Sequence, residues 1–162
     1  MSPALAGSMI VGVSLYADDL EPGRRFDFGR YTVSEAEIVD YARRWDPIFI
    51  HVDPEAAARA GLGGVIASGL HTLAIYQRFA VETIWSQAAG GVGRTMDIGF
   101  RRPVRPGTTL TGHATVHDVT PRPARGDAVV TIHGELVDGE AVVLTVVNES
   151  VLPLRAAAGD VS

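Results

Sequence analysis

Apolar residues recur at helical spacing through the first half of the chain and at a period of two through the second, the change falling at Gly90-Gly91. From Glu35 to Trp45 the apolar positions Ile38, Val39, Ala42 and Trp45 mark a helix, and Ser34-Glu35-Ala36-Glu37 reads as the capping box that opens it. Pro47 closes it, because a proline ring disfavours helical geometry at the preceding residue, Asp46. The segment Pro47-Ile48-Phe49-Ile50 is then expected to run extended to His51. Asp53-Pro54-Glu55 supplies an N-cap, a first-turn proline and a first-turn acid for a short alanine-rich helix ended by Gly61. Gly61, Gly63 and Gly64 turn the chain into Val65-Ile66-Ala67. With Ser68 as N-cap, a long helix is expected from Gly69 to about Ala88. Its Leu70, Leu73, Ala74, Ile75, Phe79, Ala80, Val81 and Ile84 cover so broad an arc that another element must wrap round it.

Beyond the paired glycines, Met96 to Phe100 reads as a strand, and in Thr109 to Val119 the residues Leu110, Gly112, Ala114 and Val116 alternate with Thr109, Thr111, His113, Thr115 and His117. Val129 to Val137 and Ala141 to Leu152 repeat the alternation, joined by the hairpin signal Asp138-Gly139. Arg24 to Phe28 could add a short strand. Residues 1–22 lack strong periodicity and read as an extended lead-in, able to lie against a partner subunit and closed by Pro22-Gly23; 23–155 form one domain, and 156–162 a flexible tail. Helices followed by strands indicate the α+β class. A single long helix with an antiparallel sheet long enough to curl round it is the hotdog architecture.

The 162 residues fit one domain, and 46% hydrophobic with 20% charged residues suffices for an ordinary core. A formal net charge of −5 argues against nucleic acid as a partner. All 14 basic residues are arginine, which excludes a Schiff-base lysine, and the absence of cysteine excludes disulfides, thiolate nucleophiles and thiolate metal sites. Forked arginine donors suit phosphates such as those of a nucleotide carrier, but codon bias accounts for the missing lysine more readily. The opening residues lack a basic leader and no stretch approaches the ~20 apolar residues of a membrane span, so a cytoplasmic protein without a membrane partner is expected.

Candidate chemistry centres on Asp46 and His51, followed by Gly69 at the start of the long helix. This spacing can bring an acid, a base and unpaired helix N–H groups to one point, an arrangement suited to a thioester carbonyl. His51 fits the base better, since an unperturbed imidazole titrates near 6.5. Asp53 reads as a cap. Ser68 has the residue type of a nucleophile but lacks the elbow motif around it. His71 either lines the acyl pocket or only packs. His113 and His117 are no metal pair, because four strand residues separate them by ~13 Å. Arg101, Arg102 and Arg105 either meet phosphates of a carrier or form a solvated strand edge.

Three segments in order, Asp46-Pro-Ile-Phe-Ile-His51-Val-Asp53-Pro, Gly64-Val-Ile-Ala-Ser68-Gly69-Leu-His71-Thr72 and Phe100-Arg-Arg-Pro103-Val104-Arg-Pro106-Gly107, make the chain resemble the MaoC-like dehydratases, relatives of the (R)-specific enoyl-CoA hydratases. The likeness spans residues from about 30 to 150. It implies a hotdog homodimer, or an assembly of such dimers, with acyl-CoA entering near the subunit interface. Asp46 and His51 would be the catalytic pair and the Gly69 N–H the oxyanion donor, with Ser68 and His71 near the substrate and neither metal nor redox cofactor. The resemblance has two departures. Ile48 and Phe49 stand where the hydratases usually have Asn and Pro, and Ser68 stands where His is frequent. Both are similar to a side branch with an Asp-Pro-Gln-Pro-Phe-His type of motif, from which Ile48 still differs. The expected reaction is hydration of an enoyl thioester or its reverse; a thioesterase and a non-catalytic acyl-binding subunit are the alternatives.

Overall fold

A computed structural model describes residues 15–156. Residues 1–14 of the expected lead-in and 157–162 of the expected tail lie outside the described residues. Four helices precede most of the sheet: α1 (Glu35–Trp45), α2 (Phe49–Val52), α3 (Pro54–Arg59) and α4 (Gly69–Thr83). The strands are β1 (Arg25–Asp27), β2 (Tyr31–Thr32), β3 (Val92–Phe100), β4 (Thr109–Arg122), β5 (Asp127–Asp138) and β6 (Ala141–Pro153). They pair antiparallel in the order β1-β4-β5-β6-β3, with β2 also on β4. This is the hotdog fold, a six-stranded sheet with a central helix.

Alternation in the long strands does what a half-buried sheet requires. Ala128, Val130, Ile132 and Leu136 of β5 and Leu144, Val146 and Leu152 of β6 are buried on one face, opposite Ile75, Tyr76, Phe79 and Ala80 of α4 in a single core. Gly134 belongs to that inward series because the Tyr76 ring occupies its side-chain space: a Cβ there would stand 2.2 Å from the phenolic oxygen. Phe28 stacks on Phe79 and meets Tyr76 edge-on, with centroids at 5.4 and 5.6 Å, and so seals the core beside β1. Asn148 and Ser150 of β6 also face inward, and Ser150 donates to the Asn148 side-chain oxygen at 3.3 Å.

Four local expectations are corrected. Ile48 to His51 does not run extended: Phe49–Val52 closes one helical turn, with the His51 N–H on the Ile48 carbonyl at 2.9 Å. Proline constrains only the residue before it and its own φ, so the chain resumes helical geometry beyond Pro47. The long helix stops at Thr83 rather than Ala88. There, Leu15 takes a hydrogen bond from Ala89 and gives one to Gln87, both at 2.9 Å, drawing that backbone out of the helix. The capping box is half formed, since Ser34 Oγ accepts from the Glu37 N–H at 3.2 Å while the Glu37 carboxylate turns to Tyr31 and His71. The hairpin turn is Gly139-Glu140, one residue later than expected, with Gly139 at φ +61° in the first loop position.

Within the lead-in, the described residues bury Leu15, Ala17 and Leu20 in the core. The apolar arc of α4 is covered on one side only, and Leu70 and Val81 stand exposed. No helix among the described residues is long and apolar enough to cross a membrane.

Candidate active site

Asp46 is the residue at which α1 stops. Its N–H still bonds the Ala42 carbonyl at 2.9 Å, but φ −156° and ψ 67° take its side chain out of the helical path. The Asp46 carbonyl then accepts from the Ile48 N–H at 2.8 Å, a tight turn about Pro47 that leads into α2. One turn on, His51 is directed inward and is 6% exposed.

Ile66 fixes the His51 ring. Its N–H bonds the Ile50 carbonyl at 3.1 Å, and its carbonyl oxygen lies 2.7 Å from His51 Nδ1. A carbonyl can only accept, so Nδ1 carries hydrogen and donates, and in the neutral ring Nε2 holds the lone pair. Nε2 is 3.6 Å from Asp46 Oδ2. That separation is too long for a direct hydrogen bond.

Ser68 connects the second half of the site to the first. Its hydroxyl donates to Asp46 Oδ2 at 2.6 Å and accepts from the Leu70 N–H at 3.2 Å, capping α4. The single hydroxyl proton is thus committed to Asp46, and the residue is fully buried. Gly69, the first helical residue, has no hydrogen-bond acceptor for its N–H among the described residues. The Phe100 ring packs directly against it: a Cβ at Gly69 would meet that ring at 2.8 Å.

Asp46, His51, Ser68 and Gly69 line one open cavity of about 400 Å³, with Leu70, Phe100 and Val143 among its apolar walls and Arg101 and Arg102 at its border. Arg101 Nε donates to Thr145 Oγ1 at 3.1 Å, and the N–H groups of both arginines bond the Val143 carbonyl. Arg105 does not line the cavity; its guanidinium donates to the Leu62 carbonyl. His71 does not line it either. It is buried elsewhere, with Nε2 3.2 Å from Glu37 Oε1 and its ring stacked on Tyr41. Burial, then the nearby Asp46 charge, raises the Tyr41 phenol above its usual value; hydrogen bonding to Glu37 does the same for Tyr31. His113 instead faces Glu135 at 3.7 Å and His117 stacks on His133, and no cluster arranged to hold a metal occurs among the described residues.

The packing of Phe100 on Gly69 carried no signal beyond its place at the end of a strand and at the head of the third family-like segment. Only the meeting of β3 with the start of α4 reveals it. The Ile66 carbonyl was equally invisible, since any residue type supplies one.

The MaoC like domain matches residues 19–136. A MaoC-like dehydratase from Rhodospirillum rubrum superposes with a TM-score of 0.81 at 34% identity, covering 89% of this chain and all of that one. The (R)-hydratase from A. caviae involved in PHA biosynthesis shares the fold with a TM-score of 0.65 at 21% identity, over 83% of this chain and 98% of the other. An uncharacterized Bacillus subtilis protein, YdeM, is 32% identical over 106 residues, 65% of this chain and 75% of its own length. With that domain spanning most of the chain, and with the fold shared by a MaoC-like dehydratase at 34% identity, the protein belongs to the MaoC-like domain family.

Proposed function

We propose that the protein is a hydratase or dehydratase acting on an enoyl or 3-hydroxyacyl thioester of CoA. The observation that carries this reading is the orientation of His51: Nδ1 is committed to Ile66, so Nε2 is the basic nitrogen, beside Asp46 in the cavity that also contains Gly69. A water touching both Nε2 and Asp46 Oδ2 loses a proton to His51, and its oxygen bonds to C3 of the substrate. The C2–C3 π pair shifts toward the thioester, whose oxygen takes up negative charge against the Gly69 N–H. Return of a proton to C2 from the His51–Asp46 side completes addition of water. Dehydration is the same path reversed. The family relationship and the dehydratase and hydratase relatives support this reading.

Arg101 and Arg102 suit the phosphates of the carrier at the cavity border. The exposed apolar residues Leu70, Val81, Val92, Met96 and Phe100 on α4 and the edge strand β3 suit a second copy of the chain, since an uncovered strand edge beside an apolar face invites pairing.

A panel of enoyl-CoAs of different chain length and branching tests the proposal by loss of conjugated-thioester absorbance and by release of free thiol. Loss of absorbance without thiol release is expected. Thiol release alone would identify a thioesterase, and binding without either reaction a non-catalytic subunit. His51→Ala and Asp46→Asn should each lower hydration by about 10²–10⁴-fold while the fold persists.

A further inference from the structure

His71 is a buried titratable side chain that this mechanism does not use. It is 3% exposed, and its Nδ1 is buried with no hydrogen-bond partner among the described residues. A residue needed only to fill space would be better as a hydrocarbon, because burying an unpaired polar atom is unfavourable. The contacts of His71 indicate what offsets that disadvantage. Its Nε2 donates to Glu37 Oε1 at 3.2 Å, and the same oxygen accepts from the Tyr31 hydroxyl at 2.5 Å. Its ring face lies against Tyr41, centroids 4.5 Å apart and planes within 8°. Glu37 and Tyr41 both belong to α1. One histidine in the first turn of α4 is therefore gripped at its edge and on its face by the helix that ends at Asp46.

We infer that His71 is a positioning residue for the active site: held by Glu37 and Tyr41, it sets the axis of α1 against the first turn of α4 and so places the Asp46 carboxylate relative to Ser68 and the Gly69 amide. The two helices touch at their adjoining caps through Ser68 Oγ and Asp46 Oδ2 at 2.6 Å. Burial of Ile38 in the shared core brings α1 against α4, but apolar packing is non-directional and one hydrogen bond between caps does not by itself set the angle. The His71 link, displaced from the caps along both helices, supplies a second directional point. Glu37 cannot swing away, since Tyr31 of β2 holds the same oxygen. The sheet, α1 and α4 are thereby joined through one carboxylate.

The inference rests on the hydration reading only for its kinetic arm. His71→Phe keeps a flat ring for Tyr41 and removes the bond to Glu37, while His71→Gln can place an amide N–H near the position of Nε2. On an enoyl-CoA that the parent hydrates, His71→Phe should lower kcat by roughly tenfold to a hundredfold, the scale of a small misplacement of reacting groups, with KM nearly unchanged. His71→Gln should recover most of that loss. Independently of turnover, NMR of the His51 ring and the Gly69 amide should show both displaced in His71→Phe and near their parent positions in His71→Gln. Glu37→Leu breaks the same link from α1 and should reproduce the displacement, which covers the case in which His71→Phe does not fold. Unmoved His51 and Gly69 resonances in folded His71→Phe or Glu37→Leu would overturn the inference, as would equal losses in the Phe and Gln variants. A parent that hydrates nothing would defeat the functional reading while the spectra still decide this one.

Discussion

Two histidine and carboxylate pairs flank the first turn of α4, and the difference between them lies in which ring nitrogen is bonded and to what. His51 and Asp46 face the cavity of about 400 Å³ that Gly69 also lines; His71 and Glu37 face a different one, with Tyr41 stacked on the ring and Tyr31 bonded to the carboxylate. In the first pair the carbonyl of Ile66 takes Nδ1, and Nε2 stands 3.6 Å from the acid. In the second, Nε2 itself donates to the acid at 3.2 Å, and Nδ1 has no partner. An imidazole whose working nitrogen already binds its carboxylate is a structural link. One whose far nitrogen is anchored to the backbone, with the near nitrogen beside a cavity, is arranged for proton transfer. Residue type alone does not distinguish them.

The comparison breaks most sharply if His51→Ala and His71→Phe have equal effects on turnover, since the first should remove the base outright and the second only disturb its surroundings. Next in size is Gly69→Ala. Its methyl must displace the Phe100 ring, and initial rates should fall, though by less than the roughly 10²–10³-fold that losing an oxyanion donor outright commonly costs. Pairing it with Phe100→Ala should restore part of the activity. Ser68→Ala follows: chemical denaturation should register a loss of about 0.5–2 kcal/mol from the missing helix cap, accompanied by lower kcat as Asp46 loses its hydroxyl partner, and Ser68→Thr should retain most of both. The smallest expected effect separates the arginines. Substituting Arg101 or Arg102 by Ala should raise KM for the CoA thioester severalfold, and Arg105→Ala should leave it unchanged, because that guanidinium is turned to the Leu62 carbonyl.

Legibility in the sequence followed the range of the forces involved. Ser34 and Asp53 were readable as caps, and each accepts the expected N–H, from Glu37 and Ala56. Asp46 was readable as a helix end because Pro47 acts on its immediate neighbour. His51 was readable as a partner of Asp46, but its helical turn was not, since nothing in Ile48-Phe49-Ile50 distinguishes a short turn from an extended link without the carbonyl and amide of Ile66 beside it. The end of α4 was misread for a similar reason: Leu15, far away in the chain, captures Gln87 and Ala89.

The sequence by itself determined the main helices and the long strands, the face that each long strand buries, and the chemical types available for a reaction, because these depend on periodicity, local caps and composition. Tertiary structure alone decided which histidine opens to the cavity, which hydroxyl holds Asp46, and which arginines border the site. Those outcomes depend on contacts between segments distant in the chain, where the angle between two helices and the position of one carbonyl oxygen decide whether the same side chain is a link or a base.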